Sequence, residues 1–340
     1  MLEPPDTERY AKQVLFYGIG PEGQRALGAA TVAIVGLGAL GTVIADTLCR
    51  AGVGALRLVD RDFVELSNLQ RQTLFTERDA QERLPKAVAA ARRLGEINSS
   101  IRIEPLIRDL HPGNTEATLR GADLVLDGTD NIETRLLIND ACLKLGIPWV
   151  YGAALGAQGN AMTILPGQTP CLRCLIPDAP PPGAMPTCDS EGVLAPITGL
   201  IGAWEAAEAL RLLTGQPPRP GLLLADVWQG DVRVVELERR PDCPACRGVY
   251  DYLTGQRTAF TTSLCGRNAV QISPADERQI PLEALQARLA RIGQATYNGF
   301  LLTYSGEGVE ITLFPTGRAI IKGTTDEAVA RALYARYVGT

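Results

Sequence analysis

The stretch that decides the fold is Thr31–Gly41, which reads TVAIVGLGALG. Its first half is a short apolar run that predicts a buried strand, and an alanine-rich helical stretch follows it. Between the two, Gly36, Gly38 and Gly41 form a G-x-G-x-x-G turn. Such glycines let the backbone approach a nucleotide phosphate, and the helix N-terminus favours the negative charge. Asp60 ends the next predicted strand, where a carboxylate can bind ribose hydroxyls. The turn predicts a nucleotide-binding site but does not decide whether the nucleotide is NAD or ATP.

Around this turn, predicted strands and helices alternate along the chain. Strands are predicted at Ala55–Val59, Ile101–Ile107, Leu124–Leu126 and Trp149–Tyr151, and helices after Pro85, over Glu133–Leu145 and over Pro196–Leu213. Apolar strands separated by helices are typical of a parallel sheet covered on both faces. We therefore predict an α/β fold over residues 1–252, with a Rossmann-like, doubly wound, mostly parallel sheet. The Pro-rich segment 176–186 is predicted to be a mobile crossing loop.

A second, smaller domain is predicted over residues 257–340, after a boundary near residues 252–257. Its pattern indicates a small α+β unit with a strand at Ala269–Ile272, a strand pair over Phe300–Ile321 and a helix on either side of that pair. The pair is expected to turn at Pro315–Gly317. Nothing in this unit has the spacing of an acid–base pair or a metal site. We expect it to dock a protein partner or to serve oligomerisation.

Composition limits the classes of function. The 340 residues are 46% hydrophobic and 21% charged, as expected of a packed globular protein, and the formal net charge is −5. Nucleic-acid-binding domains are usually basic, so a nucleic-acid partner is not expected. No apolar run reaches the roughly 18 residues of a membrane span, and the N-terminus has no export pattern. We therefore expect a cytoplasmic protein with no membrane partner.

Polar residues after the second strand favour a triphosphate over a dinucleotide. The segment LSNLQRQ carries Asn68 and Arg71, and Lys86 follows at a predicted helix start. Arginine offers a planar fork to phosphate and lysine a point charge. Asp130 lies beyond another strand end, where a carboxylate suits a magnesium ion shared with phosphate oxygens. Each cation alone is equally well explained as a solvated surface charge, but together behind the glycine turn they predict phosphate binding.

These motifs, in this order, resemble the ubiquitin-activating-enzyme superfamily and within it the bacterial ThiF/MoeB group. The resemblance spans about residues 5–250 and is carried by RYAKQ (9–13), GLGALG (36–41), VDRDFVELSNLQRQ (59–72), PK (85–86), DGTDN (127–131) and two C-x-x-C pairs. It implies adenylylation, by Mg-ATP, of the C-terminal Gly-Gly carboxylate of a ubiquitin-like sulfur-carrier protein, for thiamine or molybdopterin synthesis. The carrier's identity and the sulfur donor, a cysteine desulfurase or another protein, stay open.

The resemblance also implies roles for individual residues. Asp60 would hold the ribose, Asp130 would organise magnesium, and the phosphates would be contacted by Asn68, Arg71 and Lys86. Asp62 is expected nearby without a defined role. Lys12 stands where the family commonly has an arginine finger that reaches the partner subunit's ATP site, so a homodimer is implied. Lysine keeps the charge and loses the bidentate fork, and the neighbouring Arg9 is an alternative finger.

Four of the eight cysteines predict a metal site. They form two C-x-x-C pairs, Cys171 with Cys174 and Cys243 with Cys246. Four thiolates are the ligand count of a closed structural zinc site, and such a site would pin two distant segments together. The alternative is four buried cysteines without a metal.

Cys188 follows the Pro-rich segment, at the position of a family cysteine that attacks the adenylate or links covalently to the carrier. The alternative is a bystander thiol, because part of the family passes the adenylate directly to another sulfur donor. Cys49 and Cys142 lie in predicted helices and are expected in the core, and Cys265 is interpreted as structural.

Two other functions remain open from the residues. A same-fold enzyme would activate another carboxylate, that of a modified tRNA base or a peptide. The other candidate is a dinucleotide-binding oxidoreductase or a catalytically inactive scaffold. The joint presence of Arg71, Lys86 and Asp130 argues against an inactive scaffold.

Overall fold

A computed structural model describes residues 8–180, 186–257, 262–264, 269–272, 279–306 and 308–339. The centre of the Pro-rich segment, residues 181–185, and Cys265 lie outside these ranges. The contacts of the chain divide it into two compact units. Unit 1 comprises Met1–Gln81 and Pro85–Arg257, and unit 2 comprises Glu82–Leu84 and Thr258–Thr340.

Unit 1 contains one eight-stranded sheet with the strand order β3-β2-β1-β4-β5-β6-β7-β8. The strands are β1 (Thr31–Val35), β2 (Ala55–Asp60), β3 (Arg102–Ile107), β4 (Leu124–Asp127), β5 (Trp149–Leu155), β6 (Gln158–Ile164), β7 (Leu222–Asp226) and β8 (Asp231–Val235). The pairs from β3 to β5 are parallel, and those from β5 to β8 are antiparallel. This confirms the predicted α/β fold. The hairpin of β5 and β6 was not predicted, and β5 runs past its predicted end at Tyr151.

Helices flank the sheet of unit 1. They are α1 (Ala11–Val14), α2 (Gly20–Ala29), α3 (Ala39–Ala51), α4 (Glu77–Gln81), α5 (Lys86–Ile97), α6 (Thr115–Leu119), α7 (Ile132–Leu145), α8 (Leu172–Leu175), α9 (Cys188–Glu191) and α10 (Ala195–Leu213), with short 3-10 turns at Leu66–Asn68 and Ala245–Arg247. The predicted core positions of Cys49 and Cys142 are confirmed, since both are fully buried. No helix within the described ranges has the length and apolar character needed to cross a membrane.

Unit 2 contains an antiparallel sheet of six strands in the order β11-β12-β13-β14-β10-β9. Its elements are β9 (Thr262–Leu264), β10 (Ala269–Ile272), α11 (Leu282–Leu289), β11 (Gln294–Tyr297), β12 (Leu302–Gly306), β13 (Val309–Leu313), β14 (Ala319–Lys322) and α12 (Glu327–Tyr337). The hairpin turn at Pro315–Gly317 joins β13 to β14, as predicted. The predicted strand pair is in fact three strands, because a second hairpin reverses the chain after Gly306.

Candidate functional site

The strand order of unit 1 reverses between β1 and β4. β1 ends at the glycine turn, and β4 ends at Asp127, just before Gly128. Gly36 has a φ of +85°, which only glycine adopts easily. A Cβ on Gly41 would lie 1.8 Å from the Gly36 carbonyl oxygen, and one on Gly128 would lie 2.2 Å from that oxygen. A Cβ on Gly38 would meet only the Gly128 oxygen, at an ordinary 3.7 Å. The fold therefore requires glycine at 36, 41 and 128, whereas Gly38 leaves space for another molecule to approach.

Asp60 is held beside this turn by backbone donors. One carboxylate oxygen accepts from Leu37 N at 2.6 Å, and the other from Asp62 N at 2.7 Å. Burial raises the pKa of Asp60, the ammonium of Lys86 opposes that rise, and the carboxylate of Asp62 adds to it. A carboxylate has about four acceptor positions, so Asp60 retains capacity for ribose hydroxyls.

Lys86 is the first residue of α5 and points into a charged cluster. Its side chain is only 9% exposed, and Nζ lies 3.9 Å from Asp62 Oδ2. Its backbone N–H donates to the Asp62 carbonyl at 2.8 Å. Beside them, Arg61 pairs with Asp109 at 3.1 Å. Burial lowers the pKa of Arg61, but Asp109, Asp62 and Asp130 together raise it above its ordinary value. Asp130 therefore lies within electrostatic range of the groups that follow β2 and β3.

The LSNLQRQ segment forms a 3-10 turn whose side chains are partly used to build it. Asn68 is buried and accepts from Glu65 N at 3.0 Å. Arg71 is half-buried as a residue, and its guanidinium donates an exposed hydrogen bond to the Ser67 carbonyl at 3.0 Å. Gln72 is 4% exposed, and its Oε1 has no hydrogen-bond partner among the described residues. A buried acceptor without a donor is costly, so Gln72 is a further candidate to contact a ligand.

The loop that carries Asp130 is fixed by a buried ion pair. Asp127, at the end of β4, accepts from Arg135 Nε at 3.0 Å and from the Thr129 hydroxyl at 2.7 Å. Burial raises the pKa of Asp127, and Arg135 opposes that rise. Asn131 caps α7 by accepting from Thr134 N at 2.8 Å. Asp130 lies between these two anchors and is exposed, so its carboxylate is available at the carboxyl edge of the sheet.

Beneath this loop lies a carboxyl group that the sequence did not single out. Glu205 of α10 is fully buried, and neither of its side-chain oxygens has a partner among the described residues. A Cβ on Gly152 would lie 2.0 Å from Glu205 Oε1, so the side chain fills the space above that glycine. Burial raises the pKa of Glu205 well above its ordinary 4.5, and the Asp127 carboxylate raises it further while Arg135 opposes both.

Lys12 is anchored far from the glycine turn of its own subunit. It is an exposed residue of α1, and the neighbouring Gln13 donates to the Ala51 carbonyl at 2.8 Å. Ala51 is the last residue of α3, whose first turn begins at the glycines. The 13 residues of α3 span about 20 Å. Arg9, the alternative finger, is also exposed and donates to the Ile97 carbonyl at 3.0 Å.

The two C-x-x-C pairs come together, as predicted. The Sγ atoms of Cys171, Cys174, Cys243 and Cys246 all lie within 4.8 Å of one another, and the shortest separations are 3.6 Å. Tetrahedral zinc–thiolate bonds of about 2.3 Å place sulfurs about 3.8 Å apart, so this donor set fits zinc. Burial raises the pKa of Cys243 to about 11, so a bound cation would favour its thiolate form.

Cys188 is the first residue of α9, and its Sγ lies 3.7 Å from the Ala154 carbonyl oxygen. Ala154 is near the carboxyl end of β5, which pairs in parallel with β4. The thiol is thus at the same edge of the sheet as the Asp130 loop, because parallel strands end on one edge.

Residues 10–245 match the family model described as "ThiF family". The chain is also 42% identical over 339 residues to a Bacillus subtilis protein named "Sulfur carrier protein ThiS adenylyltransferase", covering 98% of this chain and 100% of that one. The chain belongs to the ThiF family.

Another ThiF-type relative is the Thermus thermophilus "Sulfur carrier protein adenylyltransferase", 41% identical over 248 residues. That match covers 71% of this chain and 91% of the relative. Among solved structures, Escherichia coli MccB with ATP shares 23% identity and superposes with a TM-score of 0.60, over 70% of this chain and 74% of that one. This likeness shows that the fold is shared.

Within the ThiF-family core, the residues predicted to surround the nucleotide lie near one edge of the sheet, whereas Lys12 and the four-cysteine cluster lie elsewhere. The glycine turn, Asp60, Asp62 and Lys86 adjoin each other, and electrostatic coupling through Arg61 links Asp130 to them. Sequence reasoning missed Gln72, the Arg61–Asp109 pair and Glu205. The Asp127–Arg135 pair had one available signal, an acid at a strand end with an arginine one turn inside the next helix.

Proposed function

We propose that this protein uses ATP to adenylylate the C-terminal Gly-Gly carboxylate of a ubiquitin-like sulfur-carrier protein. The observation that carries the proposal is the 42% identity, over essentially both whole chains, to a ThiS adenylyltransferase. Because that match includes the C-terminal unit, a ThiS-type carrier of thiamine synthesis is favoured over a molybdopterin-type carrier. The charged edge of the sheet supplies the chemistry that this reaction needs.

In this reaction a carrier carboxylate oxygen forms a bond to the α-phosphorus, and the bond from that phosphorus to the bridging oxygen breaks. Pyrophosphate leaves with the electron pair. We assign Asp60 to the ribose and the glycine turn, with the N-terminus of α3, to the phosphates. Lys86 and Arg71 would neutralise charge on the phosphate tail, and Asn68 would donate to it. Such positioning and neutralisation account for most catalysis of phosphoryl-group chemistry.

The carboxylates at this edge fit a magnesium ion. Asp130 is exposed at a strand end, and Asp62 lies beside Lys86, so hard oxygen ligands are available where the phosphates would lie. When bound, magnesium neutralises phosphate charge. Asp130 would hold the ion, and the Asp127–Arg135 pair would keep the Asp130 loop in place.

We infer that Lys12 acts on the site of a second subunit, which makes a homodimer the working form. The support is distance, since α1 is tied to the far end of α3, about 20 Å from the glycine turn. An extended lysine side chain reaches only about 6 Å, so Lys12 cannot reach the phosphates of its own chain.

We assign Cys188 to covalent capture of the activated carrier, because its thiol is at the edge of the sheet where the adenylate would form. We assign structural zinc to the four-cysteine cluster, in which no position is left open for catalysis. The sulfur donor, a cysteine desulfurase or another protein, would act after adenylylation.

The test is ATP–pyrophosphate exchange with a purified ThiS-type carrier. We expect exchange only when the carrier ends in Gly-Gly, and none with a carrier shortened by those two residues. Asp130→Ala should lower exchange more than about 100-fold while circular dichroism stays unchanged. Exchange that proceeds with a small acid and ignores the carrier would reject the proposal, and full activity of Asp130→Ala would reject the magnesium role.

A further inference from the structure

Arg83 has an unusual backbone conformation just ahead of Lys86. Its φ is +48°, and it is the sole non-glycine residue with positive φ in the described ranges. A left-handed conformation is unfavourable for a residue with a Cβ and persists only where its surroundings enforce it. Arg83 belongs to the three-residue segment Glu82–Leu84, which is part of unit 2 because its contacts are made there.

The side chains of Asn298 and Arg83 hold this conformation through four hydrogen bonds. The side-chain amide of Asn298 donates to the carbonyl of Glu82 at 2.9 Å and to that of Arg83 at 3.1 Å. The Arg83 guanidinium donates to Glu310 Oε1 at 3.1 Å and to the Thr312 hydroxyl at 3.1 Å. The segment is therefore held through both its backbone and its side chain.

Asn298 is itself oriented by its neighbours. Its Oδ1 accepts from Phe300 N at 3.0 Å and from Leu301 N at 2.8 Å, so the amide nitrogen must face the segment. An aspartate would keep both of these acceptor bonds and lose both donor bonds. Asn298→Asp therefore removes the hydrogen bonds to Glu82 and Arg83 while it keeps the turn at residues 298–301.

The held segment leads directly to Lys86. Pro85 follows Leu84 with a fixed φ, and the Lys86 N–H donates to the Asp62 carbonyl to begin α5. Few backbone torsions therefore lie between Arg83 and the ammonium that is assigned to ATP phosphate.

We propose that Asn298, together with the Arg83–Glu310 ion pair, is a positioning residue that sets Lys86 for ATP. This inference rests on the proposed function for its catalytic readout.

The test is Asn298→Asp, measured as separate KM values for ATP and for the carrier in pyrophosphate exchange. Two hydrogen bonds are lost, so we expect the KM for ATP to rise about tenfold, with kcat and the carrier KM within about twofold. The matched control is Arg288→Gln, which removes donors to the Tyr337 and Val338 carbonyls elsewhere in unit 2. It should leave the KM for ATP unchanged.

Hydrogen exchange of the Lys86 amide supplies a second readout that needs no activity. We expect Asn298→Asp to increase this exchange about tenfold and Arg288→Gln to leave it unchanged. Unchanged ATP KM and unchanged Lys86 exchange in Asn298→Asp would overturn the inference, as would equal effects of the two variants. If the wild-type protein showed no carrier-dependent exchange, the proposed function would fall, and the amide measurement would still decide the role of Asn298.

Discussion

Replacing Glu205 by glutamine should make the protein more stable, and increasingly so as the pH rises. The side chain is fully buried with both oxygens unpartnered among the described residues, close to the negative charge of Asp127. Ionising it there is unfavourable, so it is protonated in the folded protein well above pH 4.5. Glutamine has nearly the same shape and carries no titrating proton.

The size of the effect follows from proton linkage. A carboxyl whose pKa is raised by folding contributes fully to stability below its unfolded pKa, about 4.5 here, and that contribution is lost as pH rises towards the folded pKa. Across this window wild type loses about 1.4 kcal/mol of unfolding free energy per pH unit relative to Glu205→Gln. For a unit of this size, that difference corresponds to about 3–6 °C in Tm per pH unit.

Thermal unfolding of the protein between pH 5 and pH 8 measures this difference. The matched control is Glu208→Gln, one turn along α10, where the carboxylate accepts from the Thr163 hydroxyl at 2.9 Å and pairs with Arg211 and Arg219 at 3.5 Å. Glu208→Gln removes ion pairs and should not stabilise. A Tm difference for Glu205→Gln that stays constant with pH, or a variant less stable at pH 8 than wild type, would refute the reasoning.

Three further predictions concern the turn, the loop thiol and the cysteine cluster. Gly38→Ala should fold with an unfolding free energy lower by about 1 kcal/mol, and it should raise the KM for ATP about tenfold or more. Gly41→Ala should lower the unfolding free energy by about 3 kcal/mol, because its Cβ meets the Gly36 carbonyl. Melting curves and exchange kinetics distinguish the two variants. Cys188→Ser should keep exchange within about twofold and lose any thiol-sensitive adduct with the carrier, and an adduct that persists would assign capture to another residue. Cys243→Ser should lower zinc from about one ion per chain and reduce unfolding free energy by about 3 kcal/mol, as elemental analysis and melting would show.

The parallel half of the sheet was predictable because its sequence signals are local. Each buried strand is a short apolar run, and the glycine turn after β1 has a spacing that few other structures demand. Two strand-like stretches between Leu213 and Cys243 also indicated β7 and β8, but the β5–β6 hairpin lacked such signals. β6 carries glycine, asparagine and glutamine among its apolar residues, so its sequence does not read as a strand until β5 is in place to pair with it.

The candidate site residues also divide into those with a local sequence signal and those without one. Asp60 and Asp130 could be proposed because a carboxylate at or just after the end of a buried strand is visible in one sequence. Glu205 could not, because α10 places it beneath the Asp127 loop through packing between helices and strands far apart in the chain. Asn298 and Arg83 are separated by more than 200 positions, and neither belongs to a motif. Charge patterns along one segment cannot reveal pairs of this kind.

Glycine at 38 illustrates how sequence and structure answer different questions about one motif. The pattern treats its three glycines alike, yet the steric environments differ: two are demanded by carbonyl oxygens of the protein, and Gly38 by none that is closer than 3.7 Å. The folded chain leaves room for a Cβ at Gly38, so only a molecule bound at the turn would exclude one there. Gly38→Ala is therefore the substitution in this motif that would test ligand binding with the least disturbance of the fold.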